Sequence, residues 1–380
     1  MTIKVVSIVS RMNLGGVAVL LSDLHDSLSE PEFLHYLITG KCTANEIDIL
    51  EYRTQDSRII KIEDMGRSLS FFKDFSTLLE LRKVLTKINP DIVHTHTSKA
   101  GVVGRLATLT LRNRPKIVHT FHGHHLYGYF SKLMVAIMVL IEKFLALRSD
   151  LLVADSKQVQ LDLQEHGVGK KQNWRVIAPG IRNLAKINKS EARVKFDLKS
   201  NDLIISWVGR FTDIKNPLLA LRSLNEITPE VRERTKLIML GDGELLEDCK
   251  TYSRHENLDV TFAGWESDIA PYLAASDLLL MSSKNEGFGM VIAEAGFYGV
   301  PTVSTDVGGV REFIIDDLNG ALVAPNPSDI ANKLEYLLEN PDVRRSMGQM
   351  AEKTTIERFT SEIFTSQHKD AYRKLLSPNE

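Results

Sequence analysis

The sequence predicts an α/β protein made of two doubly wound domains, each with a parallel sheet covered by helices. Short apolar runs bounded by Gly, Pro, Asn or Asp alternate with longer segments of helical period, which is typical of strand-helix-strand units. At 380 residues, the chain is long enough for two or three compact domains, each with its own core. Its composition, 43% hydrophobic and 25% charged, is that of a globular protein.

The predicted strands fall into two series along the chain. Nearly all are dominated by Val, Ile and Leu, as expected for strands that helices cover on both faces. A turn at Ala178-Pro179-Gly180-Ile181 separates the series, so we expect one domain over residues 1–180 and a second from residue 181 onward. The first series comprises residues 4–9, 91–94, 117–120 and 151–154, and the second comprises residues 203–208, 236–240, 260–263, 278–281 and 302–304.

Charge and cysteine content exclude several functional classes. Lys and Arg number 47 against 49 Asp and Glu, and a net charge of −2 provides no basic field for nucleic acid. The two cysteines, Cys42 and Cys249, are too few for a disulfide framework or a zinc site, which suits a reducing compartment. The first nine residues lack the features of an export signal, so we expect a cytoplasmic protein.

The apolar segment from Leu133 to Leu147, flanked by Lys132 and Arg148, allows two interpretations. It is too short to cross a bilayer as a helix. It could lie on an anionic lipid surface as an interfacial helix, with Lys132, Lys143 and Arg148 contributing positive charge. Composition favours the other interpretation, a buried helix packed on the sheet of the first domain.

A glycine-rich turn follows a predicted buried strand of the second domain. It reads Glu286-Gly287-Phe288-Gly289-Met290, and a helix is expected to begin around Phe288. Glycines allow close backbone approach, and unpaired amides at a helix start hold anions such as a diphosphate. Glu286 and Glu294 can both face the crevice at the carboxyl ends of the strands, where carboxylates accept hydrogen bonds from sugar hydroxyls. Alternatively, Glu286 caps the helix and Glu294 lies on its surface.

The loop after the first predicted strand of the second domain carries Gly209, Arg210 and Lys215. Permanent positive charge at that point can neutralise a diphosphate whose charge grows as its bond to a sugar breaks. Considered alone, the two cations would be assigned to an ordinary surface loop.

Polar clusters also follow the predicted strands of the first domain. Gly15 and Gly16 form a turn after the first strand, but the chain has neither a dinucleotide fingerprint nor a Walker lysine pattern, which disfavours dehydrogenases and P-loop NTPases. Histidines are frequent in residues 94–101 and 119–125. No Cys or carboxylate lies among them at zinc-like spacing, so hydrogen bonding to substrate is favoured over a metal site. A structural role is the alternative for His94, His119 and His125.

Together these motifs resemble the glycosyltransferase family 4 enzymes over nearly the whole chain. The most specific element is the E-x7-E pattern matched by Glu286 and Glu294. The resemblance implies the GT-B architecture, in which two Rossmann-like domains face each other across a cleft. It also implies that residues 361–380 form a helix that crosses back from a 181–360 domain to the 1–180 domain. Further similar segments are Gly15-Gly16, Arg210 with Lys215, Gly241-Asp242-Gly243, Thr120-Phe121-His122-Gly123, and Gly264-Trp265-Glu266, which looks like the family loop that meets the nucleotide base.

The resemblance implies a role for each matching residue. The 181–360 domain would bind a nucleotide sugar, most often a UDP-sugar, and the 1–180 domain would face the acceptor. Arg210 and Lys215 would hold the diphosphate, and Glu294 the ribose. Glu286 would bind donor sugar hydroxyls, and His122 would meet the sugar or the reacting region, which completes the catalytic set. The other donor-site candidates are Gly15, Gly16, Gly209, Gly241, Trp265, Glu266, Gly287, Phe288, Gly289 and Met290, and the acceptor-side candidates are His96, Ser98, Lys99 and His124.

The implied activity is retaining transfer of a hexosyl or N-acetylhexosaminyl group, without a metal or other cofactor, to a saccharide or polyprenyl-linked glycan. The segment from His94 to Arg105 is similar to a subgroup that acts in bacterial cell-surface polysaccharide assembly, which adds peripheral contact with the cytoplasmic face of the inner membrane as an expectation. The chain departs from the family at Pro179-Gly180-Ile181-Arg182, where Asn-Gly-x-Asp is common. Two alternatives stay open, namely a UDP-sugar epimerase on the same architecture and a non-catalytic GT-B scaffold.

Overall fold

The computed structural model describes residues 2–13, 15–29, 31–43, 46–51, 56–66, 70–123, 131–182, 184–199 and 201–377. The chain divides into two compact units. The first unit combines Met1–Gly180 with Ser361–Glu380, and the second is Ile181–Thr360. Each unit contains a parallel sheet with helices, so the α/β class predicted from the sequence is confirmed.

The first unit is built on a seven-stranded parallel sheet with the order β3-β2-β1-β4-β5-β6-β7. The direction of chain progression across the sheet reverses between β1 and β4. Loops after those two strands therefore flank the switch point, where doubly wound sheets bind ligands. The strands are β1 (Ile3–Val9), β2 (Phe33–Gly40), β3 (Ile59–Ile62), β4 (Ile92–His96), β5 (Lys116–Phe121), β6 (Leu151–Ala154) and β7 (Trp174–Val176).

Helices cover the strands of the first unit, and one of them, α3, lies very close to the sheet. A Cβ atom on Gly101 would lie 2.5 Å from the His119 ring, and one on Gly104 would lie 2.9 Å from Thr95 Cγ2. The glycines of the 94–105 segment therefore serve packing. The helices are α1 (Gly16–Ser27), α2 (Phe71–Ile88), α3 (Ser98–Leu109), α4 (Lys132–Ala146), α5 (Lys157–Glu165) and, from the end of the chain, α14 (Ser361–Leu376).

Helix α14 completes the core of the first unit. Tyr372 is fully buried, and its hydroxyl lies 2.7 Å from Nδ1 of His94 on β4. Arg373 donates to both carboxylate oxygens of Glu32, at 2.5 and 2.8 Å. Buried and exposed contacts thus both attach the end of the chain to its beginning.

Helix α4 does not have the burial that composition favoured, and that interpretation was wrong. Of its residues, Leu145 and Ala146 alone are buried among those the structure describes. The cause is a polar contact between two helices. Arg105 of α3 is buried and donates to Glu142 of α4 at 2.7 and 2.9 Å. The side of α4 that carries Glu142 therefore faces the unit. Within the described parts of the chain, no helix is long and apolar enough to span a membrane.

The second unit is built on a six-stranded parallel sheet with the order β10-β9-β8-β11-β12-β13. Its switch point lies between β8 and β11. The strands are β8 (Leu203–Val208), β9 (Thr235–Leu240), β10 (Val260–Gly264), β11 (Leu278–Met281), β12 (Thr302–Thr305) and β13 (Gly320–Val323). The helices are α6 (Lys189–Lys195), α7 (Pro217–Glu226), α8 (Pro229–Arg232), α9 (Leu246–His255), α10 (Ala270–Ala275), α11 (Met290–Phe297), α12 (Pro327–Glu339) and α13 (Pro341–Arg358), with a 3-10 turn at Gly308–Glu312.

Candidate active site

Lys215 and Glu286 meet at the switch point of the second unit, although they lie 71 residues apart. Lys215 follows β8, Glu286 follows β11, and Lys215 Nζ forms an ion pair with Glu286 Oε2. The hydroxyl of Ser283 donates to the same oxygen at 3.3 Å. The two charged side chains are only 23% and 13% exposed, so their mutual attraction is less screened by water than at a surface.

The loop that carries Lys215 is fastened to the end of β11. The hydroxyl of Ser282 accepts from Trp207 Nε1 at 3.0 Å and donates to the carbonyl oxygen of Asn216 at 2.9 Å. The backbone N–H of Lys284 donates to the carbonyl oxygen of Ile214 at 2.8 Å. These bonds hold the two loops in register and thereby place Lys215 beside Glu286.

Two glycines that the sequence analysis did not single out hold the backbone of Glu286. The N–H of Gly309 donates to the carbonyl oxygen of Glu286 at 2.8 Å. Gly308 has a φ of +56°, and a Cβ on it would lie 2.0 Å from the same oxygen. The available signal was the Gly-Gly pair shortly after β12, the pattern already recognised at Gly15-Gly16.

Helix α11 begins at Met290, later than the predicted start at Phe288, because Gly289 has a φ of +83° and interrupts the helical backbone. Gly289 has no side chain to cap the helix, and the amides of Met290 and Val291 are open to an anion, whereas that of Ile292 donates to Gly289 O at 2.8 Å. A Cβ at Gly289 would lie 3.3 Å from Glu286 Cγ. The side chain of Phe288 is buried against Phe359, with ring centroids 5.3 Å apart, so only its backbone can face a ligand.

Glu294 lies on α11, partly buried, and makes no hydrogen bond or ion pair to another described residue. Burial raises the pKa of this carboxyl group to about 7. Such a carboxylate lacks a cationic partner within the part of the chain that is described, and a ligand hydroxyl would find a free acceptor there.

Glycines also join the carboxyl ends of β8, β9 and β10. The N–H of Gly209 donates to Leu240 O at 3.0 Å, and that of Gly241 donates to Gly264 O at 2.7 Å. A Cβ at Gly241, whose φ is +131°, would lie 1.9 Å from Gly209 O. Arg210 follows directly, and its exposed side chain makes no ion pair or hydrogen bond to the described residues. This cation is available to a ligand.

The loop after β10 carries the candidates Trp265 and Glu266. The Trp265 side chain is half exposed, as a ring that stacks on a base would have to be. Glu266 accepts a hydrogen bond from the Tyr272 hydroxyl at 2.9 Å, and burial together with this bond raises the pKa of Tyr272 to about 12. A separate open groove, lined in part by Asp317, Lys333 and Tyr336, includes none of the candidate residues.

In the first unit, Asp155, His122 and His96 form a chain at the carboxyl ends of β4, β5 and β6. His122 Nδ1 lies 3.2 Å from Asp155 Oδ2, and His122 Nε2 lies 3.1 Å from His96 Nδ1. Because a carboxylate only accepts, we assign the hydrogen to His122 Nδ1, and His122 Nε2 then accepts from His96. Both nitrogens of His122 are thus occupied, and a substrate contact requires Nε2 to exchange its partner.

Asp155 was missed by the sequence analysis, although an Asp directly after a predicted buried strand was a usable signal. His96 is buried, its Nε2 has no partner among the described residues, and burial keeps its pKa well below the usual value. A neutral His96 fits the hydrogen-bond pattern of the chain.

The remaining first-unit candidates lie around the switch point between β1 and β4. Gly15 directly precedes α1, which begins at Gly16. Ser98 begins α3, and Lys99 forms an ion pair with Asp74 at 2.6 Å. Thr97, whose φ is +64°, is strained for a β-branched residue, and its hydroxyl lies 3.1 Å from that of Ser10.

Four further histidines belong to the predicted clusters, and the structure describes two of them. His94 and His119 are buried, and each is hydrogen-bonded within the unit, His94 to Thr120 at 2.7 Å and His119 to Thr95 at 2.8 Å. The acceptor-side candidate His124, like His125, lies outside the described residues.

Comparison with known proteins covers both units. The family model for Glycosyltransferase Family 4 matches residues 14–182, and the model for Glycosyl transferases group 1 matches residues 188–354. The chain is 30% identical over 295 residues to the UDP-Gal:alpha-D-GlcNAc-diphosphoundecaprenol alpha-1,3-galactosyltransferase of Escherichia coli, and the match covers 74% of each chain.

Solved structures share the fold at lower identity. A sucrose-phosphate synthase from Thermosynechococcus elongatus has a TM-score of 0.83 at 22% identity, over 98% of this chain and 99% of that one. Anabaena Alr3699/HepE, in complex with UDP and glucose, has a TM-score of 0.81 at 19% identity, over 98% and 100% of the two chains. The likeness establishes a GT-B fold and extends over both units.

Proposed function

The chain belongs to the glycosyltransferases of group 1 and family 4, and from this premise we propose that it transfers a sugar from a UDP-sugar to a lipid-linked saccharide, with retention of the anomeric configuration. The E. coli relative is named for a UDP-galactose donor and a diphosphoundecaprenol-linked acceptor. Alr3699/HepE contains UDP. Because the chain is a glycosyltransferase, the epimerase and the non-catalytic scaffold are not retained.

The observation that carries the proposal is the ion pair between Lys215 and Glu286 at the switch point of the second unit. Without a donor, each charge is balanced by the other. A diphosphate brings negative charge that Lys215 can bind, and Glu286 is then released to accept hydrogen bonds from donor sugar hydroxyls. The pair is therefore proposed as the resting state of the donor site.

Leaving-group stabilisation would supply much of the rate. As the bond between the anomeric carbon and the diphosphate oxygen breaks, its electron pair stays on the diphosphate, and negative charge grows there. Lys215, Arg210 and the uncapped amides of α11 are positive groups fixed on the loops around that point. We propose that they neutralise this charge without a metal ion or another cofactor.

The rest of the donor would occupy the same edge of the second sheet. Glu294, which has no partner among the described residues, would accept hydrogen bonds from the ribose hydroxyls, and the half-exposed Trp265 would lie at the base with Glu266. The backbone from Gly287 to Met290 would approach the phosphate and the sugar. The three glycines at Gly209, Gly241 and Gly264 contribute no side chains to this edge and leave its backbone accessible.

The first unit would bind the acceptor. Its candidates are His96, Ser98, Lys99 and His124, and His122, which Asp155 orients, would meet the sugar or the reacting region. A polyprenyl-linked acceptor would be met at the cytoplasmic face of the inner membrane, and the protein would work there as a peripheral enzyme. The new bond would join the anomeric carbon to an acceptor oxygen, and the acceptor hydroxyl proton would pass to the departing diphosphate.

The test is a transfer assay with labelled UDP-sugars and both lipid-linked and water-soluble saccharide acceptors. We expect Lys215→Ala and Arg210→Ala each to lower kcat/KM by about 10²-fold, the usual size for loss of one preorganised charge partner. Lys284→Ala is the matched control. Lys284 lies in the loop after β11, which neighbours the loop of Arg210 and Lys215, and it forms an exposed ion pair with Asp213. Near-normal transfer by both the Lys215 and Arg210 variants would contradict the proposal.

The product identifies the reaction class. Transfer should give a product with the same anomeric configuration as the donor, which NMR of the glycosidic linkage measures, and the rate should be unchanged by EDTA. Conversion of the UDP-sugar to another UDP-sugar without acceptor would indicate an isomerase, and loss of activity on metal removal would overturn the metal-independent step.

A further inference from the structure

The outward side of α4 is a continuous apolar surface. Leu133 is 73% exposed, Leu140 69% and Leu147 67%. Positions four, seven, eight, eleven and fourteen residues after Leu133 fall on one side of a helix. That side carries Leu133, Ile137, Leu140, Ile141, Phe144 and Leu147, each 40% exposed or more.

The orientation of α4 is set by a polar contact. Glu142 faces the unit and pairs with the buried Arg105, and the half-buried Met138 and Val139 lie on the same side of the helix. The helix therefore packs with its one carboxylate inward and most of its apolar residues outward. A soluble surface helix ordinarily has the reverse arrangement, and exposed apolar surfaces of this kind mark interaction sites.

The charges on the exposed side are all positive. Lys132 and Lys143 lie along one flank of the apolar stripe, and the Arg148 guanidinium lies 5.4 Å from the centre of the Phe144 ring. Glu142 is the single acidic residue of α4, and its charge is balanced by Arg105. The outward surface thus combines apolar residues with cations, which is complementary to anionic lipid.

A second apolar ridge lies on α2, on the same face of the first sheet. The crossovers from β3 to β4 and from β5 to β6 run in the same direction, so right-handed connections place α2 and α4 on one face. Helix α3 packs against both. The ridge consists of Phe72, Phe75 and Leu79, which are 86%, 57% and 48% exposed, and exposed Arg82, Lys83 and Lys87 follow it.

We infer that the outward side of α4, together with the α2 ridge on the same face of the first sheet, docks on an anionic lipid bilayer. Helix α4 lies in the plane of the interface, its apolar side chains reach the acyl chains, and its cations meet the headgroups. The charge pattern selects lipid as the occupant, and the choice also rests on the proposed function, in which the acceptor carries a lipid. The inference deepens that function by assigning the surface at which the acceptor is met.

Vesicle sedimentation of the full-length protein, without any sugar nucleotide or acceptor, tests the inference. We expect binding to vesicles of phosphatidylcholine mixed with phosphatidylglycerol, weaker binding to phosphatidylcholine alone, and release by salt. Ile137→Glu should lower the binding constant about tenfold or more, since it puts a carboxylate in the apolar stripe. Ile356→Glu on α13 of the second unit is the matched control, because the two isoleucines are 46% and 47% exposed.

Further variants separate the contributions. Leu140→Glu should repeat the effect of Ile137→Glu, Phe75→Glu should show the contribution of α2, and Lys132→Glu combined with Lys143→Glu should lower binding only to anionic vesicles. Circular dichroism checks that each variant is folded. Failure of the wild type to sediment with mixed vesicles, or equal binding by Ile137→Glu, would overturn the inference.

The same experiments distinguish a lipid bilayer from a second copy of the chain as the occupant of this surface. They also separate the docking inference from the proposed function. A wild-type dimer that Ile137→Glu dissociates in analytical ultracentrifugation, without vesicle binding, would assign the surface to a second copy and overturn the lipid assignment. Transfer to a water-soluble acceptor should be unchanged in Ile137→Glu. Normal transfer without vesicle binding rejects only the docking surface, whereas vesicle binding without transfer rejects only the proposed function.

Discussion

Mild acid should destabilise the first unit, and His368 provides the sharpest test of the cause. Its ring is buried on α14, Nδ1 donates to the carbonyl oxygen of Phe364 at 3.0 Å, and Nε2 has no partner among the described residues. A proton on Nε2 would place an unpaired charge in the core. Burial accordingly lowers the pKa of His368 from 6.5 to about 4.

The sign and size of the effect follow from these two values. Between pH 6.5 and 4, the unfolded chain binds a proton at His368 and the folded chain does not, so stability is lost as the pH falls. The loss is about 1.4 kcal/mol per pH unit, which amounts to about 2 kcal/mol between pH 6.5 and pH 5. Replacing His368 by Gln removes this proton and should make the first unit less sensitive to acid by that amount.

Five other buried histidines of the first unit act in the same direction. Burial lowers the pKa of each, and the second unit contains only His255, which is exposed. Acid should therefore unfold the first unit before the second. The residues concerned are His25, His35, His94, His96 and His119.

Urea unfolding at pH 7 and pH 5, followed by hydrogen-exchange mass spectrometry, measures the two units separately through peptides from each. The quantity compared is the change in unfolding free energy between the two pH values. His255→Gln is the control and should behave as the wild type. If His368→Gln loses as much stability as the wild type between pH 7 and pH 5, the proposed cause is wrong.

Four further results are expected. Lys215→Ala and Glu286→Ala should be non-additive in kcat/KM, the double variant losing less than the product of the single losses, because each single variant leaves an unpaired charge; additive losses would show that the two side chains act independently. Gly308→Ala should lower kcat about 10²-fold, because its Cβ would lie 2.0 Å from the carbonyl oxygen of Glu286 and would push that residue out of place. Gly66→Ala, at a position with open space, should leave kcat unchanged. Asp155→Asn should lower kcat about tenfold or more with little change in KM for the UDP-sugar, and nitrogen NMR of His122 should report a changed tautomer; an unchanged spectrum would refute the orienting role. Glu294→Gln should stabilise the second unit at pH 8 but not at pH 4, because a carboxyl group with a pKa raised to about 7 contributes stability that is lost as the pH rises through that value; an equal effect at both pH values would contradict this.

The parallel sheets were predictable because most of their strands are apolar runs, and the strands β6, β8 and β11 match their predicted bounds. Strand β2 was not predicted, since it carries His35 and other polar residues in its interior. His35 is tolerated there because His25 Nδ1 and Ser7 Oγ each lie 2.8 Å from its ring nitrogens. Such compensation joins residues that are distant in sequence, and no local pattern reports it.

The same limit applies to the candidate site. Lys215 and Glu286 could be assigned to one site because each follows a predicted strand, but their ion pair depends on β8 and β11 being neighbours. The orientation of α4 was beyond the reach of composition, which measures how apolar a segment is. The contact that decides which side faces the sheet is Arg105 with Glu142, 37 residues apart.

The position of α14 has a consequence for synthesis of the protein. The second unit is one uninterrupted stretch, Ile181–Thr360, so all its residues are translated before α14. The first unit is made first, but the core around His94 has no Tyr372 until the last residues emerge. We therefore expect the first unit, although it is synthesised first, to complete its core only after α14 has emerged from the ribosome. A truncated transcript would release a nascent chain whose earliest segment still exposes part of its core.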